Sequence, residues 1–167
     1  VKRDVVRVIT PGTFIEGHLD GEENQFLVAI AWEPKSYGLA SLDMSTGEFM
    51  TVTLASESQL EDELRRLNPA EIIVTADLRV LDTVNSLSSA LGCPVTAVQD
   101  KQDSLAAAGQ ILLGHFGVST LTPFGLTSSA EILAAALGLR YVQETQRSVL
   151  SHIRLVKSYK LEEFLQI

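Results

Sequence analysis

The spacing of hydrophobic positions divides the chain into a strand-rich first part and a second part in which strands and helices alternate. Residues 26–32 form a continuous apolar run ended by Glu33-Pro34, which is typical of a strand covered on both faces. Two further apolar runs, residues 37–42 and 49–54, meet at the polar turn of residues 43–47 and predict a β-hairpin. We therefore predict three consecutive strands with short connections, as in an antiparallel meander.

From residue 56 onward the apolar residues recur at helical spacing. A first helix is predicted to begin at a capping box formed by Ser56 and Gln59 and to end at Asn68-Pro69. The elements that follow it are a strand at residues 71–75, a helix at residues 78–91 closed by Gly92, and a strand at residues 95–98.

Two more helices are predicted after the last of these strands. Asp103 or Ser104 caps the first, which ends at Gly117. A capping box of Ser128 and Glu131 heads the second, which extends to about residue 146. Because this second helix is apolar on nearly every side, we expect it to be buried between other elements.

Three meander strands followed by strand–helix alternation predict an α/β fold, in which a mixed sheet is flanked by helices in the order β-β-β-α-β-α-β-α. This order is that of ribonuclease H-like domains. No internal repeat or low-complexity segment interrupts it.

A ribonuclease H-like sheet raises the possibility of a nuclease, because such enzymes hold two metal ions between carboxylates, one of them on the central first strand. Here residues 29–31, the middle of that strand, are Ala-Ile-Ala. Asp43 stands one strand later at the mouth of the hairpin, where we predict that it anchors the turn together with Gly47. Glu61 and Asp77 could face the end of the sheet, so a divergent ribonuclease H-like, metal-dependent nuclease stays as the alternative function.

Other catalytic or metal-binding patterns are weak. His18, His115 and His152 are far apart and have no neighbouring ligand at metal spacing, so we predict no metal site. The sequence has neither a Gly-x-x-x-x-Gly-Lys-Ser/Thr phosphate loop nor a Gly-x-Ser-x-Gly nucleophile elbow. Cys93, the single cysteine, fits a reducing cytosol, and no apolar run is long enough to span a bilayer. We expect a cytoplasmic protein without catalytic residues.

Charge is distributed unevenly along the chain. The net charge of −8 disfavours non-specific binding to nucleic acid, yet residues 140–160 carry five basic groups and one acid. One interpretation is a solvated helix end whose cations favour the helix dipole. The other is a DNA-facing patch that includes Arg147 and Arg154.

Several phrases of the sequence, in this order and spacing, resemble the MutS family of DNA mismatch-repair proteins. They are VITPGT at residues 8–13, GLASLDMSTGEF at 38–49, NPAEII at 68–73, TQR at 145–147 and LSHI at 150–153. The resemblance implies that residues 1–13 are the end of the mismatch-reading domain or a linker. Residues 14–146 are then similar to the connector domain, which is ribonuclease H-like, and residues 147–167 to the start of the core and lever domain.

The resemblance also implies what this chain does not do. The family reads mismatches with a Phe-x-Glu motif and hydrolyses ATP in a phosphate-loop domain, and neither is found here in context. Phe14-Ile15-Glu16 spells the motif but follows the phrase that closes the mismatch-reading domain, so we treat it as coincidence. We expect part of a longer protein that binds no cofactor itself, whereas the parent protein would bind ATP and Mg²⁺ and bind DNA.

By resemblance, the connector joins the mismatch-reading domain to the ATPase core and presents a surface to MutL. We expect that surface on the helix after Ser104 and its approach, at Lys101, Gln102, Gln110 and His115. Some relatives carry paired glutamines on this helix, and here one of the pair is replaced by Ile111. The expected partners are a MutL-type protein and the remaining MutS domains, without a membrane and without direct mismatch recognition.

Overall fold

A six-stranded mixed sheet with helices on both faces forms the described part of the chain. The computed structural model describes residues 25–75, 78–98, 104–126 and 128–161. Its strands are β1 (Phe26–Glu33), β2 (Ser36–Asp43), β3 (Phe49–Leu54), β4 (Glu71–Thr75), β5 (Val95–Val98) and β6 (Lys157–Ser158). Its α-helices are α1 (Glu57–Leu67), α2 (Leu78–Leu91), α3 (Leu105–Phe116) and α4 (Ser129–Thr145), and Thr122–Phe124 and Arg147–His152 are short 3-10 helices.

The strand order across the sheet is β5-β4-β1-β2-β3-β6. The first three strands pair antiparallel, whereas β4 joins β1, β5 joins β4 and β6 joins β3 in parallel. The predicted α/β class, with a mixed sheet and flanking helices, is confirmed. The short edge strand β6 was not part of the predicted order.

Alternation along the strands produces two hydrophobic layers. On one face, strand residues such as Val28, Ile30 and Val52 pack with Leu60 and Leu64 of α1. The opposite face packs against α3 and α4 through Leu27, Ala29, Ala40, Leu42, Phe49 and Ile73. Because β1 is central and covered on both faces, its apolar residues are continuous rather than alternating.

Small residues let α4 lie unusually close to the sheet. A Cβ added at Gly38 in β2 would lie 2.0 Å from the backbone oxygen of Ala130, and one added at Gly138 would lie 3.3 Å from the Cβ of Ala29. Helix α4 is buried along most of its length, as the apolar pattern indicated. The middle of β1, where a ribonuclease H-like nuclease carries an acid, is thus an alanine packed directly under a helix.

Serine caps begin three of the helices. Ser56, Ser104 and Ser128 each accept a hydrogen bond from the backbone N–H three residues later. Ser104 is therefore the cap of α3, while Asp103 lies outside the described residues. The capping-box prediction at α4 is wrong in its second half, because the Glu131 carboxylate binds hydroxyl groups of β3 and β6.

The chain after α4 turns back onto the sheet. Val149, Ile153, Val156 and Tyr159 are buried, and the backbone N–H of Tyr159 donates to the carbonyl of Thr51 at 2.8 Å. Residues up to Tyr159 therefore pack as one body with the rest of the described structure. Among the described residues, no helix combines the length and hydrophobicity needed to cross a membrane.

Candidate functional site

Asp43 ends β2 and closes the hairpin. Its Oδ1 atom accepts hydrogen bonds from the backbone N–H and the hydroxyl of Ser45, at 2.9 and 2.6 Å, and from the N–H of Thr46 at 3.3 Å. Gly47 donates its N–H to the Asp43 carbonyl at 2.7 Å. This is the geometry of an Asx-type turn, in which the carboxylate satisfies backbone donors.

Two features of the structure require glycine at position 47. Its φ of +85° lies in the left-handed region. A Cβ at this position would also lie 2.3 Å from the carbonyl oxygen of His152, which belongs to the second 3-10 helix. The hairpin turn therefore packs directly against the segment that follows α4.

The buried acids near this end of the sheet lie on opposite faces. Asp43 pairs with Phe26 in β1, and the alternation of side chains along β2 puts it on the face of the sheet that α1 and α2 cover. Glu71 pairs with Leu27 and faces α4, where its Oε2 atom accepts hydrogen bonds from Thr96 at 2.7 Å and from Tyr141 at 2.9 Å. The sheet thus separates the two carboxylates, so they cannot share a metal ion.

Glu61 and Asp77 were the other acids considered as metal ligands of a nuclease, and the structure shows neither of them beside Asp43 or Glu71. Glu61 lies on α1 and forms an exposed ion pair with Arg65 at 2.7 Å. Asp77 lies outside the described residues. Within residues 25–75, 78–98, 104–126 and 128–161, no three His, Cys, Asp or Glu side chains are grouped so that they could hold a metal ion.

Glu131 forms a buried polar cluster between α4, β3 and β6. One carboxylate oxygen accepts from the hydroxyls of Thr51 at 2.7 Å and Ser158 at 2.6 Å, and the other accepts from Thr53 at 2.5 Å. The position in the first turn of α4 also suits a negative charge. The cluster ties three elements together.

A second polar cluster, with Glu63 and Tyr159 buried and Arg66 exposed, joins α1 to the segment that follows α4. Tyr159 donates its hydroxyl hydrogen bond to Glu63, and Arg66 donates to both Glu63 and the Tyr159 oxygen. The hydrogen bond to Glu63 raises the pKa of Arg66. Burial, together with the hydrogen bond to Glu63, raises the pKa of Tyr159 above its ordinary value, so the phenol stays neutral at physiological pH.

The four residues expected to contact a partner protein differ in their environments. Gln110 is exposed on the outer face of α3. His115 is half-buried, with Nε2 donating to the carbonyl of Ile153 at 2.9 Å and its ring edge against Phe116. Lys101 and Gln102 lie outside the described residues. The structure therefore places Gln110 at the surface and gives His115 an internal partner.

Exposed cations line the segment after α4. Arg147 is exposed and donates to the carbonyl of Gln143 at 3.2 Å. Arg154, Lys157 and Lys160 are exposed at every third position. Within the described part of the chain, the side chains of these three residues make no hydrogen bond or ion pair. We call Arg154, Lys157 and Lys160 the basic row. It faces outward, whereas the preceding residues Ile153, Val156 and Tyr159 are buried.

The two carboxylate clusters were missed by the sequence reasoning. Thr51 and Thr53 are two positions apart in β3, so their side chains lie on the same face of the sheet. Two hydroxyl groups on a covered face indicate that the helix above them supplies a polar partner. Nothing in the sequence pairs them with Glu131, which lies about eighty positions away. The sequence also gave no indication that the segment after α4 returns to the sheet and brings Ser158 and Tyr159 to these carboxylates.

The sequence model of MutS domain II matches residues 25–154, which is most of the chain. The chain belongs to the MutS domain II family. DNA mismatch repair protein MutS of Syntrophomonas wolfei is 36% identical over 173 residues, covering all of this chain and 20% of that protein. The MutS of Symbiobacterium thermophilum is 37% identical over 159 residues, covering 92% of this chain and 18% of that protein. This MutS domain II chain spans about a fifth of the length of such relatives.

Solved structures confirm the ribonuclease H-like fold of this MutS domain II chain. Thermus thermophilus RuvC in complex with a Holliday junction substrate has a TM-score of 0.53 at 13% identity, covering 73% of this chain and 97% of RuvC. A second RuvC structure gives 0.50 at 16% identity, covering 77% and 96%. At these identities the likeness concerns the fold alone.

Proposed function

We propose that this chain is the connector module of a MutS-type DNA mismatch-repair protein, coupling mismatch recognition to the ATPase core and offering a docking surface for MutL. The observation that carries the proposal is the family match over residues 25–154, supported by relatives named DNA mismatch repair protein MutS. Residues 1–13 then belong to the end of the mismatch-reading domain, residues 14–146 form the connector, and residues 147–167 lead into the core and lever domain.

Coupling between two neighbouring domains requires a body that moves as a unit. Both faces of the sheet are covered by packed helices, and buried carboxylates connect elements distant in sequence, as Glu131 does for β3, α4 and β6. Close-packed interiors deform little and transmit displacement. These features support a rigid link rather than a flexible tether.

The outer face of α3 is the surface we propose for MutL. Gln110 is exposed there, and Leu105 at the start of the same helix is 46% exposed. We also propose Lys101 and Gln102, which precede this helix in the sequence, as contacts for MutL. His115 contributes by fixing the end of α3 to Ile153 rather than by free display of its ring.

Nuclear magnetic resonance titration of the labelled chain with a purified MutL-type protein tests this proposal. We expect chemical-shift changes at Leu105, Ala106 and Gln110, with α1 on the opposite face of the sheet as the internal control. Shift changes centred on α1, or none at millimolar MutL, would overturn the docking surface.

We propose further that the basic row forms a DNA-facing patch together with Arg147. Cations that neutralise phosphates make binding depend steeply on salt. Fluorescence anisotropy with a duplex at low salt should show weak binding that Arg154→Glu and Lys157→Glu abolish, while Lys35→Glu, an exposed change at the β1–β2 turn, leaves it intact. Equal affinity in all variants would contradict the patch.

ATP and Mg²⁺ belong, in this proposal, to the ATPase domain of the whole protein, and the connector itself carries no cofactor. The same proposal places the chain in the bacterial cytosol, where mismatch repair acts on DNA.

A further inference from the structure

The segment of residues 153–159, here called the anchor segment, contributes side chains to both hydrophobic layers. Ile153 and Val156 belong to the layer between the sheet, α3 and α4. Tyr159 belongs to the layer on the α1 face of the sheet. All three are no more than 5% exposed. A short segment at the β3 edge therefore fills part of the core on each side of the sheet.

Two buried carboxylates hold the end of the anchor segment from opposite faces of the sheet. The Ser158 hydroxyl donates to Glu131 of α4 at 2.6 Å. The Tyr159 hydroxyl donates to Glu63 of α1 and accepts a hydrogen bond from Arg66. Neighbouring residues thus connect the chain to α4 on one side and to α1 on the other.

Further hydrogen bonds fix the anchor segment along the sheet and at its start. The N–H of Tyr159 donates to the Thr51 carbonyl at 2.8 Å, and β6 pairs in parallel with β3. At the other end, Nε2 of His115 in α3 donates to the carbonyl of Ile153 at 2.9 Å. Helices α1, α3 and α4 and the edge strand β3 therefore all bind this one segment.

Loosening the anchor segment would disturb both layers. Its departure would leave unfilled space where Ile153, Val156 and Tyr159 pack, and would remove hydroxyl donors from Glu63 and Glu131. Unfilled space in a close-packed core is costly, and so is the loss of a donor to a buried carboxylate. Segments that open locally have few buried contacts, which is the opposite of what the structure has here.

We propose that the anchor segment belongs to the cooperative folding unit and rigidly fixes the chain where it leaves the sheet, with Ser158 and Tyr159 as the positioning residues. The unit then extends to residue 159, past residue 154 where the family match ends. The attachment is a property of this chain. Only its use rests on the function proposed above: a displacement of the following domain would reach both layers at once, because close-packed interiors transmit displacement.

Native-state amide exchange of the whole chain tests the anchor. Amides that are exposed only by global unfolding share one protection and one denaturant dependence. The Tyr159 amide should therefore exchange within about tenfold of the Ile73 amide in β4, with the same dependence on denaturant. A Tyr159 amide that exchanges more than about tenfold faster, or with a weaker denaturant dependence, would show local opening and overturn the proposal.

Two substitutions sharpen the test. Ser158→Ala and Tyr159→Phe each remove one hydroxyl donor, so each should speed exchange at Tyr159 and at Ile73 by the same factor, about tenfold. Acceleration at Tyr159 alone would show that the hydroxyl holds only a local segment. No acceleration at either amide would show that the hydroxyl does not anchor the chain. Either result would contradict the proposal.

Tyr37→Phe serves as the matched control for Tyr159→Phe. Tyr37 is buried in the same layer, and its hydroxyl forms no hydrogen bond with a described residue. The change should leave exchange at both amides within about twofold of the wild type. These exchange measurements need no MutL, so failure of the docking surface and failure of the anchor are recognised separately.

Discussion

Gly38 in β2 faces the first turn of α4 so closely that a Cβ at position 38 would lie 2.0 Å from the backbone oxygen of Ala130. The contact sets the depth at which the N-terminus of α4 lies on the sheet. It also places Glu131, the next residue, within reach of Thr51 and Thr53. One missing side chain thus makes both the helix position and the Glu131 cluster possible.

Gly38→Ala should lower the free energy of unfolding by at least about 2 kcal/mol, because the added methyl forces backbone to move. Gly109→Ala in α3 is the matched control: a Cβ there meets nothing within 4 Å, so the change should stabilise by about 0.5–1 kcal/mol. Urea unfolding followed by circular dichroism measures both. A Gly38→Ala midpoint equal to that of the wild type would show that the close approach carries no constraint.

Asp43→Ala should destabilise the chain by about 1 kcal/mol, because three donors of the turn lose their shared acceptor. Asp43→Asn keeps an oxygen in the same place and should cost less. Asp62→Ala, an exposed change on α1, serves as the control. Thermal melting distinguishes these variants, and equal melting temperatures for wild type and Asp43→Ala would refute the turn role.

Alkaline pH should destabilise the wild-type chain more than a Cys93→Ala variant. Burial, with a smaller contribution from Glu71, raises the pKa of the Cys93 thiol from 9.0 to about 12. The unfolded thiol loses its proton first, so stability present below pH 9 is lost as the pH rises toward 12. The urea midpoint should therefore fall further in the wild type between pH 8 and pH 10.5. Identical falls in both proteins would contradict the raised pKa.

The elements of the fold were largely predictable because each carries a local signal. Apolar runs predicted β1 to β5. Serine caps predicted where helices begin, and Gly or Asn-Pro residues predicted where helices end. The two-residue β6 could not be predicted, because its pairing with β3 depends on burial of Val156 and Tyr159 rather than on any pattern of its own. Short elements of this kind exist only in the context of the folded sheet.

The candidate site was harder to predict than the fold. Glu131 stands at capping-box spacing, yet its carboxylate turns toward hydroxyls on β3 that are distant in sequence. His115 was expected at the surface, but its ring binds the carbonyl of Ile153 from the segment that folds back. In each case the side chain binds a group that is distant in sequence instead of taking the role predicted from its neighbours. The spacing of nearby residues does not reveal such a distant partner.

Site-specific photocrosslinking at position 110 tests the proposed MutL docking most directly. A crosslinkable residue in place of Gln110 should capture a MutL-type protein, while the same residue in place of Asp62, exposed on the other face of the sheet, should not. A yield at position 110 at least about tenfold above that at position 62 is the expected result. Equal yields at the two positions, or capture at position 62 alone, would contradict a docking surface on α3.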